Sequence, residues 1–159
     1  MAEEYDVYAA LIDYLAARGW KMICASPPGG TDARYQRCVL PRRDPSEKGP
    51  RDEVDLSASG NEIILLAECK VKLSESLTKL TRQNESDYDK LLRLIGTWPP
   101  EELSHQLSRA YGYEISCSKV GGVLAVAEVD RKVPPDITVL EFRGGVSVRA
   151  SDPFIGAFS

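Results

Sequence analysis

The chain has 159 residues and a mass of 17.5 kDa, enough for one domain with a sizeable buried core. Apolar types make up 43% and charged types 28%, which excludes a disordered segment. Twenty Lys+Arg against 24 Asp+Glu give −4, so the molecule as a whole is not basic.

Uncharged apolar runs such as Ile63–Ala67 are far too short to cross a bilayer. The first residues, Met-Ala-Glu-Glu-Tyr-Asp, lack the apolar core of a signal peptide. These features predict a cytoplasmic domain with no membrane partner. The four cysteines, Cys24, Cys38, Cys69 and Cys117, contain no Cys-x-x-Cys pair, which argues against structural zinc. Cys24 and Cys38 could face each other across a hairpin, but reduced, packed thiols are the expectation for this compartment. The single histidine, His105, lies in a polar stretch and reads as a surface residue, which removes His-pair metal sites. No phosphate-binding Gly-rich loop is present. The chemistry left to this chain is that of carboxylates and lysines.

In chain order, Tyr8, Leu11, Ile12 and Leu15 mark a helix over about 4–18, stopped by Gly19. Trp20–Ala25 predicts a strand, Ser26–Asp32 a turn-rich loop and Tyr35–Leu40 a second strand. Pro41–Arg51 is polar and Pro-containing. Glu53–Ala58 and Glu62–Val71 predict two strands joined at Gly60-Asn61, the second apolar on both faces as a central strand should be. Leu73, Leu77 and Leu80 form a short helical stripe. Ser86 caps a clearer helix with Tyr88, Leu91, Leu92 and Ile95 as its apolar face and Gly96 as its stop. Whether one helix or two fill this region, with a break near Gln83-Asn84, stays open. Pro100–Tyr111 is a further helix, and Val120–Val129, Ile137–Phe142 and Val146–Arg149 are strands. Trp20 and Trp98 are expected in the core. The order α-β-β-β-β-α-α-β-β-β predicts a single α/β domain, a mixed β-sheet flanked by helices.

Charge is unevenly spread. Residues 18–51 carry eight bases and three acids, a local +5 that is the footprint expected for a polyanion. Arg34, Arg37, Arg42, Arg43, Lys48 and Arg51 are the candidate nucleic-acid contacts, of a kind that positions a backbone without reading its sequence. The loop Ser26–Arg34 could offer amides to a phosphate, but a plain turn is the simpler reading.

The chemistry concentrates in Asp55 and in Glu68-Cys69-Lys70. On a strand, Glu68 and Lys70 share a face and Cys69 points the other way. A Gly60-Asn61 turn sets Asp55 opposite Leu66, on the face of Glu68 and diagonal to it. Two carboxylates and an ammonium at the end of an apolar strand are costly to bury unless paired or bound to a cation. Carboxylate oxygens without imidazole or thiolate favour Mg²⁺ or Mn²⁺, and with a lysine beside them they suit phosphodiester hydrolysis.

Asp55, twelve residues and Glu68-Cys69-Lys70 resemble the PD-(D/E)XK, or restriction-endonuclease-like, nuclease superfamily. The helix-first order and the Gly19-Trp20 start of the first strand are most similar to small Holliday-junction-resolvase-like nucleases. The resemblance implies a nuclease core over about 4–129 with a C-terminal β extension over about 130–159. It implies Asp55 and Glu68 as metal-binding acids, the Cys69 carbonyl as a backbone ligand, Lys70 as the catalytic lysine and Glu4 as the candidate helix acid. The implied activity is Mg²⁺-dependent hydrolysis of DNA, endonucleolytic in preference to exonucleolytic, with a homodimer one open assembly. The alternative is a non-cleaving nucleic-acid-binding or accessory protein on the same fold.

Overall fold

A computed structural model describes residues 3–79 and 84–150. Helix α1 (Glu4–Ala17) is followed by strands β1 (Lys21–Ala25), β2 (Leu56–Gly60) and β3 (Ile63–Lys72). Helices α2 (Leu73–Ser76), α3 (Asp87–Thr97) and α4 (Pro100–Tyr111) come next, then β4 (Lys119–Glu128), β5 (Thr138–Phe142) and β6 (Val146–Ala150). The six strands form one sheet in the order β1-β2-β3-β4-β5-β6. β3 pairs antiparallel with β2 and parallel with β4, β5 runs parallel to β4, and both edge pairs are antiparallel. The fold is therefore α/β with a mixed sheet, as the element pattern predicts. β5 and β6 extend that sheet directly, and the rest of the expected C-terminal extension, 151–159, lies outside the described residues.

The strand period explains how the sheet fills both layers. On one face Leu56, Ala58, Leu65, Ala67 and Cys69 pack under Val7, Tyr8, Leu11 and Leu15 of α1. On the other, Ile64, Leu66, Leu124 and Val126 pack under Leu91 and Leu94 of α3 and Leu103 and Leu107 of α4. Ile63 through Cys69 are all buried, as a strand covered on both sides requires. Both tryptophans are core residues, and His105 is exposed. No helix among the described residues is long and apolar enough to cross a membrane.

Four expectations need correction. Tyr35–Leu40 is not a strand: Val39 makes a single bridge to Glu53, and the Tyr111 hydroxyl satisfies its main chain, accepting from the Val39 amide at 3.1 Å and lying 2.9 Å from its carbonyl. The hairpin turn is Asn61-Glu62, both with positive φ (50° and 61°), while Gly60 pairs with Ile63. Gly60 is needed for another reason: a Cβ there would come within 2.7 Å of the Trp20 indole. Gly96 does not stop α3, which runs on to Thr97 before Pro99-Pro100, and its Ser86 cap accepts from the Asp89 amide at 3.0 Å. Finally, Cys24 and Cys38 form a disulfide, with Cα atoms 4.8 Å apart. The 26–37 segment folds back on β1 through Ala25 N–H to Gln36 O (2.9 Å) and Cys38 N–H to Ser26 Oγ (2.7 Å), which brings the two sulfurs together. Cys69 and Cys117 are free thiols. α2 and α3 are separate helices; Leu80 and Gln83, which entered the expected stripe and break, lie outside the described residues.

The two turn assignments predict opposite mutational outcomes. Gly60→Ala should lose roughly 1–3 kcal/mol through collision with Trp20. Glu62→Gly should leave stability unchanged or raise it by up to about 1 kcal/mol, because it relieves a left-handed non-glycine residue. Urea denaturation of both variants checks this, and equal losses would contradict the Asn61-Glu62 turn.

Candidate active site

The register of β2 on β3 pairs Leu56 with Ala67. Continued by one residue it sets Asp55, just before β2, directly across from Glu68. The turn shift moves each pairing by two positions, so the shared face survives although the diagonal placement does not. Asp55 Oδ2 accepts from the Cys69 amide at 2.7 Å, which pins the carboxylate against the β3 backbone. The Cys69 side chain points to the α1 layer, and burial pushes its thiol well above the ordinary range, so it is no nucleophile here.

Asp55, Glu68 and Lys70 open into one cavity of about 450 Å³, walled by the Ser26–Gly30 loop and by Asp87 and Lys90 of α3. Lys90 Nζ lies 3.0 Å from Glu68 Oε1 and also donates to the Glu53 carbonyl. Lys70 Nζ sits 3.7 Å from Asp87 Oδ2 and 3.7 Å from Glu4 Oε1. Glu4 thus reaches the site through Lys70, not through the acid pair. Asp87 is 3% exposed, and its buried Oδ2 has the Lys70 ammonium as an ion-pair partner but lies beyond hydrogen-bond distance of it.

The electrostatics follow from packing several carboxylates into a sheet. Burial raises the Asp55 pKa from 3.8 to about 6, and the charge on Asp87 adds to the rise. Burial, then the charge on Asp55, pushes Glu68 well above the usual carboxylate range. Burial raises Asp87 as well, against the pull of Lys70 and Lys90. Burial works to lower both lysines, but the surrounding carboxylates win: Asp87, Glu4, Asp55 and Glu68 hold Lys70 above its ordinary value, and Glu68 leads the same effect at Lys90. Both ammonium groups are therefore charged at neutral pH.

Sequence reasoning missed Asp87 and Lys90. They occupy i and i+3 of a stripe whose i+4 and i+7 positions are the buried Leu91 and Leu94, so charged residues at core-facing positions were the available signal. Leu92 and Ile95, assigned to the apolar face, are only partly buried. The six predicted nucleic-acid contacts divide. Arg34 pairs with the buried Asp32 at 2.8 Å, and Asp32 also accepts from Tyr8 OH at 2.9 Å. Arg37 lines the acidic cavity and pairs with Glu53 at 2.8 Å. Arg42, Arg43, Lys48 and Arg51 line a different cavity.

A hard divalent cation would find two carboxylates here, and among the described residues no group of three or more His, Cys, Asp and Glu is disposed to hold a metal ion. Mg²⁺ commonly keeps several waters and takes only one or two carboxylates. Asp55 and Glu68 would supply that pair, and with Asp87 they crowd three carboxylates of raised pKa around two lysines. No protein-family model, curated protein or solved structure matches the chain.

A carboxyl whose folded pKa is raised holds a proton that the unfolded chain has already released. Stability contributed by Asp55 should therefore fall as pH climbs from about 3.8 to about 6 and stay low above it. In chelator, Asp55→Asn should flatten that decline and stabilise the protein at pH 7 by roughly 1–3 kcal/mol, since the amide oxygen can still accept from Cys69. Urea titrations across this pH range check it; an unchanged slope in the variant would contradict the burial of a strained carboxylate.

Proposed function

We propose that the chain is a Mg²⁺- or Mn²⁺-dependent nuclease with a restriction-endonuclease-like core, hydrolysing phosphodiester bonds of nucleic acid, with DNA the favoured substrate and internal cleavage the favoured mode. The observation that carries this reading is the convergence of Asp55, Glu68 and Lys70 in one cavity beside a second ammonium, Lys90. The α1-β1-β2-β3 order and the hairpin position of the acids support it.

Asp55 and Glu68, with the Cys69 carbonyl, are the groups that would hold the ion. When bound, the ion supplies Lewis-acid polarisation of a phosphoryl oxygen and a lowered pKa for water. The protein's own groups do the rest. Lys70 and Lys90, held charged by their neighbours, are hydrogen-bond donors for negative charge developing on phosphoryl oxygens, not proton acceptors. Asp87 and Glu4 flank the Lys70 ammonium and fix where it points. The Cys69 amide holds Asp55 in place. Arg37, paired with Glu53 on the cavity wall, would meet a neighbouring phosphate.

A second reading, a nucleic-acid-binding or accessory protein that does not cleave, is favoured by one observation: the Lys90 ammonium lies on Glu68 Oε1, where it already neutralises an acid the ion would need.

Incubation with plasmid, single-stranded DNA, a four-way junction and RNA, with Mg²⁺, Mn²⁺ or chelator, separates the two. The nuclease reading predicts metal-dependent cleavage that Lys70→Ala reduces at least about hundredfold, with the fold intact. Binding that persists in chelator without any cleavage would select the second reading, and full activity in the Lys70 variant would remove Lys70 from the chemistry.

A further inference from the structure

A second cavity, of about 250 Å³, lies between the Leu40–Asp52 segment and the C-terminal half of α3, apart from the acidic cleft. Its lining includes three buried apolar residues, Leu40, Leu94 and Trp98. Five basic side chains surround them, Arg42, Arg43, Lys48, Arg51 and Arg93, against two acids, Glu47 and Asp52.

The five cations are not equivalent. Arg93 is clamped by Asp52 (2.7 and 3.1 Å) and by Glu85 (2.8 and 3.2 Å). Arg43 is held by Glu102 at 3.2 Å and by the Thr97 carbonyl at 3.1 Å, and Arg42 donates to the Gly49 carbonyl. These three are oriented before any ligand arrives, which removes part of the ordering cost of binding. Lys48 and Arg51 make no hydrogen bond or ion pair among the described residues, and they converge on the same space.

Arg43 and Arg93 are already joined to carboxylates, whereas Arg42, Lys48 and Arg51 have no carboxylate partner among the described residues, and these three repel one another unless an anion joins them. We propose that this cavity binds a phosphate monoester, with Lys48 and Arg51 as the free donors to it. Outside the Arg43 and Arg93 ion pairs the lining holds three cations, Arg42, Lys48 and Arg51, against one acid, Glu47, an excess of two positive charges that a dianionic monoester offsets better than the single charge of an internal phosphodiester. The volume corresponds to about eight waters, more than one phosphate needs, so it also admits part of the group that the phosphate is attached to. Arginine forks suit the three peripheral oxygens of such a group. The ligand chemistry is shared by a free nucleotide and by the phosphorylated end of a nucleic-acid strand. The proposal does not require the acidic cleft to cleave anything.

Titration calorimetry in chelator with inorganic phosphate, a nucleoside monophosphate and an oligonucleotide with or without a terminal phosphate tests it. At least one phosphate monoester should bind saturably, at least tenfold tighter than its hydroxyl counterpart. The Lys48→Ala/Arg51→Ala double variant, changed only at exposed positions, should lose at least tenfold, while Asp55→Asn keeps the affinity. Binding of phosphate or the mononucleotide identifies a free ligand, and binding of the phosphorylated oligonucleotide alone identifies a strand end. Absence of saturable binding by any monoester, or equal affinity in the double variant, would overturn the proposal. Cleavage of circular plasmid, which has no strand ends, reports on the acidic cleft alone and keeps the two failures distinguishable.

Discussion

Two carboxylates facing each other across the end of a strand pair, Asp55 against Glu68, set the terms for everything around them. Neither can carry its charge cheaply: burial penalises both carboxylates, the charge on Asp87 adds to the cost at Asp55, and the charge on Asp55 adds to it at Glu68. Two lysines, a main-chain amide and one further buried acid have gathered at the same place, and the lysines stay protonated because the acids are there. A cluster of this kind is poor evidence for stability, since well-packed apolar groups would fill the same space at lower cost. Its place in an open cavity is what the proposed metal-dependent reading rests on, since a divalent cation would offset the crowded carboxylates.

The rest of the fold holds that pair in register. The Asn61-Glu62 turn fixes the pairing of β2 with β3, and Trp20 packs so closely on Gly60 that no side chain fits there. Parallel pairing of β3 with β4 continues past Glu68 and Lys70, to Lys72 against Glu128, so the end of β3 that carries both side chains rests on a paired strand. α3 then serves two cavities from one face. Asp87 and Lys90 in its first half meet the acidic cleft, and Arg93, Leu94 and Thr97 in its second half line the basic one. At about 1.5 Å of rise per residue, the step from Lys90 to Arg93 is about 4.5 Å along the helix, so sites of opposite charge lie side by side.

Much of this was legible in the sequence because strand geometry is forgiving of even errors. The turn lies one residue later than expected and Asp55 changes partner from Leu66 to Glu68, yet the acids and Lys70 still share a face. The central strand was legible from its unbroken apolar run, and α4 from Pro100 and Gly112. Tyr35–Leu40 was not, because its strand-like composition is satisfied by a tyrosine hydroxyl and one bridge instead of a ladder. Asp87 and Lys90 were hidden by local context: an acid just after a Ser cap looks like a first-turn acid complementing the helix dipole, and only the packing of α3 on the sheet turns it inward. The disulfide depends on how the 26–37 loop folds back, which no local pattern encodes.

In the proposed function the Asp55–Glu68 pair receives a divalent cation. Thermal denaturation against Mn²⁺ or Mg²⁺ concentration, at pH 5.5 and pH 8, tests it most directly. The proposal predicts a saturable rise in Tm that is larger at pH 8, above the Asp55 pKa of about 6, and that is lost in Asp55→Asn and in Glu68→Gln. A Tm indifferent to either ion, or an equal rise in both variants, would contradict it.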